Sequence, residues 1–285
     1  MNRTTIEYLD YTYNPIAMRC TPIATGCKNC WHIRMCNRLK ENYYSFGHKI
    51  RDAYAGEGPP ILVESRLNDP LKVKKPSVVG TQFMGDLWHK DVTLEQRDMI
   101  YSTISLCPQH TFIILTKRPE NVMSWWLANN KNVWLGVSIS TQEDADKLVP
   151  VLLQIPAAVR IVSVEPMLGP VDIDTRKMCP TSECFAPPPK IDWVIIGCES
   201  GPKRRPCKLE WIESLVKQCS KAGVPVFCKQ AEINGKVVSM PKILGRTWDQ
   251  LPDNKQVENG QALTCGCQGF YEVFGVHRPG CSRAF

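Results

Sequence analysis

The sequence predicts an α/β protein: a complete or partial (β/α) barrel followed by an irregular, cysteine-containing C-terminal extension. Three observations carry that reading. From about residue 60 onward, short β-branched runs alternate with amphipathic stretches, the pattern of strand–helix–strand crossovers. Several runs, such as Trp193 to Gly197, are continuously apolar, as parallel strands buried on both faces are. The 285 residues are 43% hydrophobic and 22% charged, which permits a substantial core and excludes global disorder. A doubly wound open sheet is the competing architecture.

Taken in order, the expected strands are 61–64, 78–84, 112–115, 133–138, 160–164, 194–196 and 224–228, with a further one near 16–19. Helical periodicity falls between them, at 93–107, 120–129, 141–154 and 208–222. Thr93 with Gln96 fits a capping box at a helix start, and Thr141 with Asp144 is a looser version. Three segments break the rhythm. Residues 31–54 read as one helix with a basic, aromatic face. Residues 174–190, with Pro187-Pro188-Pro189, read as an irregular insertion. Residues 234–285 read as an extension packed on the barrel. The expected organisation is therefore a barrel over 1–233 and an extension over 234–285.

Composition excludes several classes. No apolar run approaches the roughly 20 residues of a membrane span, and Met1 to Glu7 contains no apolar signal region. A cytoplasmic protein without membrane contact is expected. Fourteen cysteines in this length fall below the roughly 8–10% of a disulfide scaffold, so reduced thiols, some of them metal ligands, are expected. With only five histidines, a metal site here rests on sulfur, which favours iron–sulfur or zinc. The net charge of +7 permits an anionic partner without requiring one.

In a parallel barrel the site lies where strands run into the following loops. The strand ends carry Gly85-Asp86, Thr116-Lys117-Arg118, Ser138 with Ser140, Glu165-Pro166, Glu199-Ser200-Gly201 and Lys229-Gln230. Six consecutive strands thus present charged or hydroxyl groups to one rim. No Gly-rich phosphate loop, Ser/His/Asp arrangement or His-rich zincin motif is present.

The strongest local feature is the loop Cys20-Thr-Pro-Ile-Ala-Thr-Gly-Cys27-Lys-Asn-Cys30. Three thiolates from one loop suit a cubane cluster that keeps one iron free of protein ligands, an open position that accepts a substrate or cofactor. The alternatives are a closed zinc site completed by His32, Cys36 or a distant thiol, and three unligated thiols.

With Trp31 and a helix following it, this loop resembles the signature of the phage-associated three-cysteine-motif radical-SAM-like family. The stretches 83–89, 115–119, 132–138, 163–170, 192–201, Lys229-Gln230 and 244–249 extend the resemblance over residues 13 to about 252. Two departures stand out. Six residues separate the first two cysteines instead of the usual three, with Asn29 in place of an aromatic, and Cys198 replaces a glycine. The resemblance implies a [4Fe–4S] cluster on Cys20, Cys27 and Cys30, with S-adenosylmethionine bound at the open iron and cleaved to a 5′-deoxyadenosyl radical. The radical would take hydrogen from an unactivated carbon. It also implies an electron donor such as flavodoxin or ferredoxin. Gly85 and Asp86 are then candidates for the cofactor ammonium, Ser138 and Lys117 for its carboxylate and ribose, and Trp31 for a further cofactor contact. Glu165, Glu199, Lys229 and Cys198 would face the substrate, with a structural Glu165–Lys229 ion pair as the alternative.

Cys179, Cys184, Cys265, Cys267 and Cys281 form a second possible metal set, for zinc or an auxiliary cluster, although their spacings match no familiar pattern. Cys107, Cys207, Cys219 and Cys228 read as core residues. Lys203-Arg204-Arg205 and the basic residues of 31–54 read first as a solvated surface, and their placement beside the site puts a nucleic acid or nucleotide substrate, such as a phage DNA base to be hypermodified, ahead of other anionic partners. A peptide substrate, or a zinc-stapled nucleic-acid-binding module without catalysis, are the alternatives.

Overall fold

A computed structural model describes residues 1–41, 43–173 and 190–252, and Met1–Pro252 form one compact unit. The chain opens with β1 (Asn2–Arg3), β2 (Tyr11–Tyr13), β3 (Ile16–Ala17) and β4 (Ile61–Leu62). It continues through β5 (Val78–Thr81), β6 (Thr111–Thr116), β7 (Val133–Ile139), β8 (Val159–Val164) and β9 (Trp193–Gly197). The last strands are β10 (Val226–Ile233), β11 (Lys236–Ser239), β12 (Lys242–Ile243) and β13 (Arg246–Thr247). The helices are α1 (Trp31–Leu39), α2 (Tyr43–Ala55), α3 (Glu64–Leu67), α4 (Asp69–Lys72), α5 (Leu94–Ser105), α6 (Ser124–Asn129), α7 (Gln142–Gln154) and α8 (Leu209–Ala222).

One nine-stranded sheet runs in the order β1-β2-β5-β6-β7-β8-β9-β10-β11. Every pairing from β2 to β10 is parallel, while β1 and β11 are antiparallel additions at the two ends. The sheet is therefore α/β and mostly parallel, but it does not close: β1 and β11 do not pair, and a complete barrel is not formed among the described residues. Nor does the strand order reverse, as a doubly wound sheet requires.

Side-chain alternation divides the core. On one face, Ile114, Val137, Val162, Ile196 and Cys228 pack against Ile100 and Ile104 of α5, Val149 and Leu152 of α7, and Ile212, Leu215 and Cys219 of α8. On the other, Ile113, Trp134, Ile161, Trp193, Ile195 and Phe227 pack against Tyr8 and Leu9, without any helical residue. Helices cover one face, and the segment before β2 fills the other. Gly80 lets this segment approach closely, since a Cβ would come within 2.6 Å of the Leu9 side-chain tip.

The helix starts follow their sequence signals. Thr93 and Gln96 form the reciprocal capping box of α5, and the Thr141 hydroxyl accepts from the Asp144 N–H at α7. Other expectations require correction. Segments 16–19 and 61–64 do not join the sheet. β3 and β4 instead pair with each other in a separate antiparallel ribbon, and Glu64 begins α3. The first parallel strand is Tyr11–Tyr13, too short and too polar to show as an apolar run. The single helix expected over 31–54 is two, α1 and α2, with Gly47 inside α2 at φ 71, outside helical space. The sheet also continues past residue 233. Asn234 and Gly235, at φ 50 and 73, make a tight hairpin into β11, which joins the sheet, while β12 and β13 pair in a separate ribbon of the same compact unit. The rest of the expected extension, with Cys265, Cys267 and Cys281, lies outside the described residues, as do Cys179 and Cys184.

Candidate active site at the C-terminal ends of the strands

A cavity of about 440 Å³ opens where β5 to β10 end. Cys20, Cys27, Cys30 and Trp31 approach from the loop after β3, and Gly85 and Asp86 follow β5. Lys117, Ser138, Glu165, Cys198, Glu199 and Lys229 come from the five strands after it. All twelve expected site residues within the described regions therefore line one space, with Tyr8, Phe83 and Leu115 supplying apolar wall.

The cysteine loop is held by its own backbone and by neighbours. A 3₁₀ turn spans Thr25–Cys27, and the Cys30 N–H donates to the Cys27 carbonyl at 3.2 Å. Gly26 is buried against β7, where a Cβ would sit 2.1 Å from Ser140 Oγ. Burial pushes the Cys20 thiol up to about 11, against the opposing pull of Arg118. The Arg118 Nη1 donates to Cys20 Sγ at 3.7 Å and to Asp86 Oδ2 at 3.0 Å, and its Nη2 donates to the Thr21 carbonyl at 2.8 Å. Burial works against the Arg118 charge, but Asp86 and Cys20 more than offset it and raise its pKa.

Asp86 is already fully engaged. Its oxygens accept from the Thr116 hydroxyl at 2.9 and 3.0 Å, the Trp88 N–H at 3.0 Å, the Lys117 N–H at 3.3 Å and Arg118. With 4% of the residue exposed, it positions Arg118 and has little capacity left for a bound ammonium. Glu199 is similarly spent. Its carboxylate accepts from Arg205 Nη2 at 2.6 Å, Arg205 Nε at 3.1 Å, the Arg205 backbone N–H at 2.7 Å and Asn29 Nδ2 at 2.9 Å. Burial alone would raise its pKa, yet these donors hold it at about 2. Asn29 also donates to the Lys203 carbonyl and Arg205 to the Thr25 carbonyl, both at 2.9 Å, so the loop after β9 is latched onto the cysteine loop.

The free chemistry lies deeper. Lys117 Nζ donates to the Ser138 carbonyl and hydroxyl, each at 2.9 Å, and burial lowers its pKa against the raising influence of Cys27, Asp144 and Cys30. Lys229 Nζ pairs with Glu165 Oε1 at 2.6 Å, with about a fifth of each side chain exposed. A register shift between Cys228 and Gln230 makes Lys229 the extra residue of a bulge, which aims its side chain into the cavity. Gly197 leaves room for Glu165, since a Cβ there would meet its Cδ at 3.0 Å. Cys198 is buried and its thiol is pushed up to about 11 by burial, which leaves it protonated at neutral pH.

A single zinc ion, with bonds of about 2.3 Å to sulfur, draws its ligands into one tight shell. Among the described residues no three His, Cys, Asp or Glu side chains gather that closely. His32 and Cys36 do not complete such a shell. The His32 ring faces the Cys20 N–H and Cys36 Sγ, and Cys36 donates to the Met18 carbonyl. Cys20, Cys27 and Cys30 line the same cavity as Lys117 and Arg118, so two cationic side chains stand beside the three thiols.

A family model described as "Protein of unknown function (DUF5131)" matches residues 3–252. The chain belongs to this family. The DUF5131 match ends where the compact unit ends and takes in every wall of the cavity. No curated protein and no solved structure gives a significant match.

Sequence reasoning assigned Arg118 no role of its own and placed Arg205 only within a basic cluster. The available signal for Arg118 was its spacing from Thr116, two residues along the same strand end and so on the same face. Arg205 was counted with an anion-binding cluster, but it neutralises Glu199, and Arg204 hydrogen-bonds the Gly235 carbonyl. Lys203 remains exposed, as do Lys28, Arg34 and Arg38. Among the described residues no helix is long and apolar enough to cross a membrane.

Proposed function

We propose that this chain is a radical S-adenosylmethionine enzyme built on a partial (β/α) barrel, with Cys20, Cys27 and Cys30 as the ligands of a [4Fe–4S] cluster. The observation that carries the reading is the convergence of the three thiols of one loop with Lys117 on a single cavity at the C-terminal ends of parallel strands. When bound, the cluster and S-adenosylmethionine supply an electron and a carbon-centred radical able to take hydrogen from an unreactive carbon. The chain's own residues do the rest. Lys117, steadied by Ser138, presents a cation to a carboxylate or ribose oxygen. The Glu165–Lys229 pair fixes a polar group of the substrate by offering one donor and one acceptor. Tyr8, Phe83 and Leu115 keep water from the reacting carbon. Asp86 and Glu199 hold the cysteine loop in place through Arg118 and Arg205 and do not touch substrate.

The exposed Lys28, Arg34, Arg38 and Lys203 favour an anionic substrate, with a nucleobase in nucleic acid as the first choice and flavodoxin or ferredoxin as the electron source. Anaerobic purification provides the test. Brown protein with about four irons per chain, and 5′-deoxyadenosine released on adding dithionite and S-adenosylmethionine in the presence of nucleic acid, are the expected results. Cys27→Ala is expected to abolish both. A colourless protein carrying one zinc overturns the proposal.

A further inference from the structure

We infer that Arg118 is a dedicated partner of Cys20, anchoring that ligand and raising the reduction potential of the centre by donating to its sulfur. The inference rests on the iron–sulfur reading above and deepens it. Arg118 is 6% exposed and makes three contacts that only a guanidinium fork can combine. Nη1 reaches both Asp86 and the Cys20 sulfur, and Nη2 takes the carbonyl of the next residue, Thr21. Asp86 is fixed in turn by Thr116 and by the backbone of Lys117 and Trp88. A chain of hydrogen bonds therefore runs from the end of β6 to the first cysteine, which stands seven residues from its nearest fellow ligand and outside the turn that holds the other two.

Reduction adds one negative charge to an iron–sulfur centre, so a fixed cationic donor at a ligand sulfur favours the reduced state. Asp86 balances the arginine charge, but its oxygens are shared among the guanidinium, the Thr116 hydroxyl and backbone N–H groups, leaving the hydrogen bond to sulfur intact.

The test compares wild type, Arg118→Gln and Arg118→Lys, all purified anaerobically. Iron is quantified and the midpoint potential is followed by electron paramagnetic resonance during a redox titration. Arg118→Gln is expected to shift the midpoint to more negative potential, or to lose iron while keeping the wild-type circular dichroism spectrum. Arg118→Lys is expected to shift it in the same direction by less, because an ammonium keeps the charge but cannot span all three partners. Should Arg118→Gln fail to fold, the lysine variant alone decides, by a negative shift or none. Wild-type iron content and midpoint in the folded variants overturn the inference while leaving the iron–sulfur reading intact. Absence of iron from the wild-type protein overturns that reading instead.

Discussion

Replacing Glu199 by glutamine tests the latch between the loop after β9 and the cysteine loop. The substitution keeps shape but removes the charge that engages Arg205 through three hydrogen bonds. The carboxyl moves from 4.5 to about 2 on folding, which at 1.36 kcal/mol per pH unit sets a ceiling of about 3.4 kcal/mol. Arg205 keeps 24% of its side chain exposed, so water screens the pair, and about half the ceiling is the working expectation. For a unit of this size that corresponds to a Tm lower by about 3–7 °C at pH 7. The sign with pH follows from the lowered value: the stabilisation is complete above about pH 4.5 and is lost as pH falls toward about 2. The gap between wild type and Glu199→Gln is therefore expected to narrow by about 0.7–1.4 kcal/mol between pH 7 and pH 3.5. Melting followed by circular dichroism at both pH values measures it. A gap below about 0.5 kcal/mol at pH 7, or one that widens on acidification, would refute the latch.

Three further outcomes are expected. Thr93→Ala removes half of the capping box of α5 and should cost about 0.5–2 kcal/mol in denaturant unfolding, with no change in the site. Trp193→Ala empties the centre of the inner cluster, where the ring meets Tyr8, Trp134 and Phe227 edge-on, and should cost about 3–5 kcal/mol; a loss under 1 kcal/mol would contradict that packing. Gly26→Ala drives a methyl group into Ser140, so about 1–3 kcal/mol of overpacking is expected. Adding Ser140→Gly should restore the melting temperature, and no rescue would mean that the loop does not pack where described.

Where the candidate site residues gather was legible in the sequence because it follows from topology. In parallel strands joined by right-handed crossovers, the residues after each strand gather at one end, and Lys117, Ser138, Glu165 and Lys229 do so. What each charge does there was less legible. Asp86 and Glu199 have the residue types of ligand-binding carboxylates, but their partners lie up to 170 positions away in the chain, and no local pattern shows that they are already satisfied. The same limit hid the β3–β4 ribbon, whose strands pair across more than forty residues, and the first parallel strand, three residues long. Local chemistry was read well where it acts locally, as in the capping of α5; the Asn234-Gly235 turn signal, which marks continuation of the sheet beyond residue 233, was overlooked.

Two guanidinium groups grip the carbonyls of the cysteine loop, Arg118 from the end of β6 at Thr21 and Arg205 from beyond β9 at Thr25. A segment tethered from two directions by its own protein has its conformational entropy removed when the chain folds, before any guest arrives. Small zinc modules work the other way, remaining unfolded until the ion organises them. Here the cradle comes with the scaffold, so the sheet should fold and melt cooperatively without a guest, and any ligand the loop takes up should raise that melting temperature and not be required for it.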